Sequence, residues 1–145
     1  MTLKDQISSY VDERKDLVVE VNDRIWEYAE LGLREYKSVA LLEDLLEKEG
    51  FTIETGLGGI ETAFSASFST GDGPVIGILA EYDALPELSP IAGVPEKQAL
   101  VEGGNGHGCG HNCIASGSFA AALAIKKYLQ ESGTKGTIRF YGCPG

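Results

Sequence analysis

The chain has 145 residues, 43% of them hydrophobic and 23% charged, which is the make-up of one globular domain large enough for a core. Twenty-two acidic side chains against 12 basic ones leave a net charge of −10, which argues against nucleic acid or an anionic membrane as a partner. The N-terminus is polar with no apolar leader, and nothing approaches the ~18 apolar residues of a membrane span, so the cytoplasm is the expected compartment. The cysteine count of 3 is odd, and two cysteines lie in or beside one glycine-rich loop, so no disulfide framework is expected.

Through the first thirty residues Leu3, Ile7, Tyr10, Leu17, Val21, Ile25 and Tyr28 recur at helical spacing. Thr2 predicts an N-cap with Asp5 three residues on, and Gly32 a helix terminator. A second helix is predicted over 36–49, with Val39, Leu42, Leu45 and Leu46 inward, and residues 30–35 read as a connecting bend. Short strands are predicted over 51–54 and 62–69, with a glycine turn at 56–59. The unbroken apolar run 75–80 reads as a central strand covered on both faces. It ends in Glu81-Tyr82-Asp83, and the carboxyl end of a buried strand is where open α/β sheets keep their chemistry. Residues 86–104 form a proline-containing loop, 113–130 a helix rich in small residues, and 136–141 a last strand. This order predicts an α/β fold, a layered sheet with helices on its faces.

Between that loop and the late helix stands Asn105-Gly106-His107-Gly108-Cys109-Gly110-His111-Asn112, which holds both histidines of the chain. In an extended backbone, side chains at i and i+2 share a face, so Cys109 and His111 can converge on one ion, with His107 approaching from the same side. The following helix puts its electropositive end at these residues, which favours a thiolate. A phosphate loop is the competing reading, but the glycines do not follow G-x-G-x-x-G and no Gly-Lys-Ser/Thr follows. A closed structural zinc site needs four ligands, and Cys113 is the only further local candidate. An inert cluster is the third alternative. The preferred reading is an open metal site completed from elsewhere, with Asp83 orienting a ligand from behind. The bland readings are a turn cap for Asp83 and a solvated charge for Glu81.

Residues Leu79-Ala-Glu-Tyr-Asp-Ala-Leu-Pro86 and Gly106-His-Gly-Cys-Gly-His-Asn112 resemble the two N-terminal signatures of the metal-dependent amidohydrolases and carboxypeptidases. The branch is that of hippurate hydrolase, auxin-conjugate hydrolases and aminobenzoyl-glutamate hydrolase, and the likeness covers nearly the whole chain. It implies the N-terminal part of a zinc-exopeptidase-like catalytic domain, over residues 1–145. It further implies metal-dependent hydrolysis of an amide bond in an N-acyl amino acid or small peptide. Cys109 and His111 then match metal ligands, and Asp83 matches the catalytic aspartate that supports them. Glu81, His107 and Asn112 line the site, with Glu81 and Asn112 standing where many relatives carry Asp. One or two divalent ions are implied, zinc or manganese. In relatives a Glu-Glu pair follows the strand matching 136–141, and later ligands and an inserted dimerisation domain come after it. Those lie outside this sequence, so these 145 residues alone are expected to be inactive and to self-associate. The alternative is a non-catalytic metal-binding or assembly module that retains the hydrolase fold.

Overall fold

A computed structural model describes residues 2–145. Helix α1 (Leu3–Glu13) opens on the expected capping box: the Thr2 hydroxyl accepts from the Asp5 N–H while the Asp5 carboxylate takes the Thr2 N–H. The apolar period continues past residue 13, but the helix does not. It breaks at Arg14, whose guanidinium pairs with Glu49, and resumes as α2 (Lys15–Tyr28). The break lets α1 lie along the late helix while α2 packs against both other helices of the core. Helix α2 also stops before Gly32, on Ala29 in the left-handed region at φ 42°. Helix α3 (Tyr36–Lys48) has no cap from its own flank. The Glu30 carboxylate instead accepts the Lys37 and Ser38 N–H groups at 2.9 Å each, satisfying donors that a helix start leaves orphaned.

Strand β1 (Thr52–Thr55) pairs antiparallel with β2 (Phe64–Ser69) after a short 3-10 turn at Leu57–Gly59. Strand β3 (Val75–Glu81) is followed by the long loop, α4 (His111–Ser132) and β4 (Thr137–Cys143). The sheet order is β1-β2-β4-β3, with β2 and β4 antiparallel and β3 and β4 parallel. The expected α/β layering is therefore present, as a mixed sheet packed with helices. Along β4 the side chains alternate, so Ile138, Phe140 and Gly142 are buried and their neighbours are half-exposed. Phe140 meets Phe64 of β2 at 5.7 Å between ring centroids, and Phe119 and Leu123 of α4 complete that core with Leu42 and Leu46 of α3. Burying such side chains contributes about 1.5–3 kcal/mol each, which is what anchors α4 over the parallel pair.

One strand departs from expectation. Residues 75–80 read as a central strand covered on both faces, yet β3 is the edge strand, and Val75, Ile76 and Leu79 are 61%, 52% and 66% exposed. The composition reports a strand suited to full coverage, but pairing decides position. Among the described residues strand β3 pairs with no strand but β4, and its Leu79 carbonyl accepts from the Ser118 hydroxyl of α4 at 2.7 Å. The loop that follows is stitched to the glycine motif by Leu85 and Gly106, which exchange N–H···O bonds of 2.9 and 3.0 Å. Gly106 has no substitute there, because a side chain would overlap the Leu88 backbone. That stitch brings residues 105–111 alongside the end of β3.

Candidate metal centre

Parallel pairing makes β3 and β4 end at the same edge of the sheet, and the start of α4 returns to that edge. Glu81 is the last residue of β3, Asp83 lies two residues on, and His111 is the first residue of α4. The carboxyl end of β3 and the N-terminus of α4 thus deliver two carboxylates and one imidazole to a single place.

His111 sits between them. Its Nδ1 lies 2.5 Å from Asp83 Oδ1, and its Nε2 lies 3.1 Å from Glu81 Oε2. The Asp83 side chain is 11% exposed and that of Glu81 48%, so the pair presents one inner and one outer carboxylate. A ring with a carboxylate at each nitrogen is satisfied in one of two ways. It is an imidazolium donating twice, or a neutral ring that donates from Nδ1 and offers its Nε2 lone pair, beside Glu81, to a shared cation. A donor separation of 3.1 Å suits two ligands on one ion with arms of about 2.0–2.2 Å. Imidazole nitrogen and carboxylate oxygen are donors that zinc accepts, and the exposed Cys109 of the same motif is a third donor type that suits it. In chemistry, and in the spacing of His111 and Glu81, these residues fit two arms of a divalent-metal site.

The remaining motif residues diverge. The Gly110 N–H bonds back to the His107 carbonyl at 3.1 Å, so residues 107–110 make a turn and not an extended strand. Gly110 itself is left-handed at φ 82°, a conformation that glycine adopts without strain, and it serves as the α4 N-cap. The i and i+2 rule therefore fails here. His107 swings away and donates from Nε2 to the Ile25 carbonyl at 3.0 Å, with its Nδ1 buried and, among the described residues, unpaired. Burial pushes its pKa below the ordinary imidazole range, partly offset by that backbone bond. Asn112 is buried and donates to Asn22 on α2 at 2.9 Å, so its amide is committed to holding α4 on α2. Cys109 is exposed on the turn, and Cys113 is exposed on α4. Among the described residues, no three His, Cys, Asp or Glu side chains stand close enough together to form a complete ion cage.

The bend at residues 29–35 has more to do than connect two helices. Ala84 N–H bonds to the Glu30 carbonyl at 2.7 Å, Asn105 donates to the Ala29 carbonyl at 3.2 Å, and the Gly145 N–H bonds to Glu35 at 3.0 Å. Each segment that carries site residues is tied to this bend. Its signal in the sequence is two glutamates, Glu30 and Glu35, flanking Leu-Gly-Leu-Arg, and nothing in their spacing distinguishes them from solvated charges. Tyr82, between the two site carboxylates in sequence, points the other way and donates to the Thr62 carbonyl at 2.5 Å. Burial raises its pKa, with the Glu35 charge the next cause, so the phenol stays a donor.

The chain that carries these two segments, at the end of β3 and the start of α4, is similar in sequence to a hydrolase and a carboxypeptidase. Over 139 residues it is 44% identical to one of the subunits of p-aminobenzoyl-glutamate hydrolase from Escherichia coli (strain K12), a match that covers 96% of this chain and 29% of that protein. It is 29% identical over 129 residues to thermostable carboxypeptidase 1 of Saccharolobus solfataricus, covering 88% of this chain and 32% of that one. The chain thus spans about three tenths of the length of these relatives. The fold matches the crystal structure of a dinuclear metal binding peptidase from the M20 family of Bacillus subtilis, with a TM-score of 0.73 at 24% identity. That match covers 95% of this chain and 36% of the other. An aminobenzoyl-glutamate utilization protein from Klebsiella pneumoniae gives a TM-score of 0.60 at 16% identity, over 96% of this chain and 39% of that one. At such identities the two structures show the shared fold. No family model matches the sequence.

Proposed function

We propose that the 145 residues are the N-terminal, metal-site part of a hydrolase catalytic domain, acting on the amide bond of an N-acyl amino acid or small peptide. The observation that carries this reading is the His111 ring held between Asp83 and Glu81 at the strand ends, with Cys109 two residues upstream. The names of the relatives, an aminobenzoyl-glutamate hydrolase and a carboxypeptidase, support the substrate class. His111, Cys109 and Glu81 would hold a divalent ion, zinc or manganese. When bound, the ion would polarise the amide carbonyl and lower the pKa of its water.

The chain's own residues have distinct parts in this reading. Asp83 keeps a proton on Nδ1 and so fixes the tautomer that leaves Nε2 free to ligate. It acts through the ring, while Glu81, half-exposed beside Nε2, would take the ion from the solvent side. Cys109, exposed on a turn between glycines, would supply a thiolate to the ion. The domain reading is that further ligands and a general base come from sequence equivalent to the rest of the relatives' length. The cytoplasm is the proposed compartment; among the described residues no helix is long and apolar enough to cross a membrane.

Calorimetric titration with Zn²⁺ and Mn²⁺ tests the reading on the wild type, Cys109→Ala and His111→Ala. Saturable uptake that weakens in both variants is expected, and equal uptake by all three would remove these residues from the site. A second reading, a metal-binding or assembly module without catalysis, is favoured by the incomplete cage among the described residues. Turnover of aminobenzoyl-glutamate that is lost in Cys109→Ala would exclude it. Self-association fits the edge position of β3 and its exposed Val75, Ile76 and Leu79, because among the described residues no strand pairs with its outer side. Sedimentation over a concentration series should show dimers or larger species, and a sharp monomer throughout would count against this.

A further inference from the structure

Glu35 is fully buried, yet among the described residues it has no ion-pair partner and one of its oxygens accepts no hydrogen bond. An unpaired carboxylate oxygen in the interior is costly, so its retention at this place calls for a reason. Its other oxygen accepts the Gly145 N–H at 3.0 Å. Gly145 in turn lies against Asp83. A Cβ on Gly145 would stand 2.9 Å from the Asp83 Cβ and would overlap the carboxylate itself. From the opposite side, a Cβ on Gly32 would stand 2.9 Å from the Gly145 carbonyl oxygen. The backbone after β4 is therefore gripped between the α2–α3 bend and the carboxylate that orients His111.

We infer that Glu35 is a positioning residue for the Asp83–His111 pair. By holding the Gly145 backbone, it presses a glycine face against the Asp83 carboxylate and leaves that carboxylate one orientation, toward His111 Nδ1. The chain of contact runs from Glu35 to Gly145 to Asp83 to His111. The Glu30 carbonyl, bonded to the Ala84 N–H at 2.7 Å, fixes the other side of the Asp83 loop, so the same bend clamps it twice. What Glu35 supplies is an acceptor at a set place, which a glutamine also supplies and an alanine does not.

The test uses the 145-residue chain and two readouts, the ¹H–¹⁵N resonance of the His111 Nδ1–H and Zn²⁺ affinity. Only the second rests on the metal reading. In Glu35→Ala the Nδ1–H signal should move upfield or exchange away, with Zn²⁺ binding ~10-fold weaker, the scale at which losing a support behind a metal ligand is felt. Glu35→Gln should restore both. A folded Glu35→Ala with an unchanged Nδ1–H resonance overturns the inference, as does a folded Glu35→Gln that loses the signal equally. If Glu35→Ala fails to fold, Gly145→Ala decides. It attacks the same contact from an exposed position and should displace the same resonance; a wild-type resonance there overturns the inference. A wild type that binds no Zn²⁺ at all sinks the metal reading, while the resonance still decides the role of Glu35.

Discussion

Two histidines four residues apart in one glycine-rich motif stand in opposite surroundings. His111 has a carboxylate at each ring nitrogen and opens a helix. His107 donates to a backbone carbonyl of α2, and burial holds its pKa down. The difference is made by Gly108-Cys109-Gly110, whose turn ends in the left-handed Gly110 and sends the two rings to different partners. One ring thus faces two carboxylates, and the other pins the motif to the helix beneath it. Residue type alone does not assign a role; the atoms facing each nitrogen do.

The largest effect should separate the two rings outright. His111→Ala is expected to lose Zn²⁺ affinity by more than the ~10–100-fold that follows loss of a supporting carboxylate, while His107→Ala stays near wild type. Calorimetry on the two variants checks this, and a similar loss in both would erase the distinction. Next, Asp83→Asn should weaken Zn²⁺ binding by ~10-fold or more, because an amide no longer enforces the proton on Nδ1. An affinity unchanged by Asp83→Asn would mean that His111 needs no support. The smallest effect reverses the order. His107→Ala should cost about 1–3 kcal/mol of unfolding free energy, by removing the donor to Ile25 and leaving a void, whereas His111→Ala should cost less. Urea unfolding of both, read by circular dichroism, sharpens the comparison if the costs fall in that order.

Much of this was legible in the residues, because the signals were local. The capping box at Thr2, the period of α3, the apolar run of β3 and the acidic pair at its end each predict an element from its own sequence. The proximity of Asp83 to the glycine motif followed from α/β topology, which returns helix starts to strand ends. What stayed hidden depended on partners distant in sequence. The edge position of β3 is a matter of which strand pairs with which, and its apolar composition pointed to cover on both faces. The turn at 107–110 turned on one left-handed glycine among four candidates between Gly104 and Gly110 that read alike. Glu30 and Glu35 look like surface charges because their partners, at Lys37, Ser38 and Gly145, are backbone N–H groups, joined by the Ser38 hydroxyl, that carry no evident sequence signal.

The hydrogen bond between Asp83 and His111 joins positions 28 apart and closes everything between them into a ring. The entropy of closing a flexible loop grows only with the logarithm of its length, so doubling it costs about 0.6 kcal/mol. The excursion from Pro86 to Gly104 is thus nearly free to lengthen, shorten or change composition while its two ends stay locked. Insertions and deletions within that excursion should therefore leave the latch itself in place.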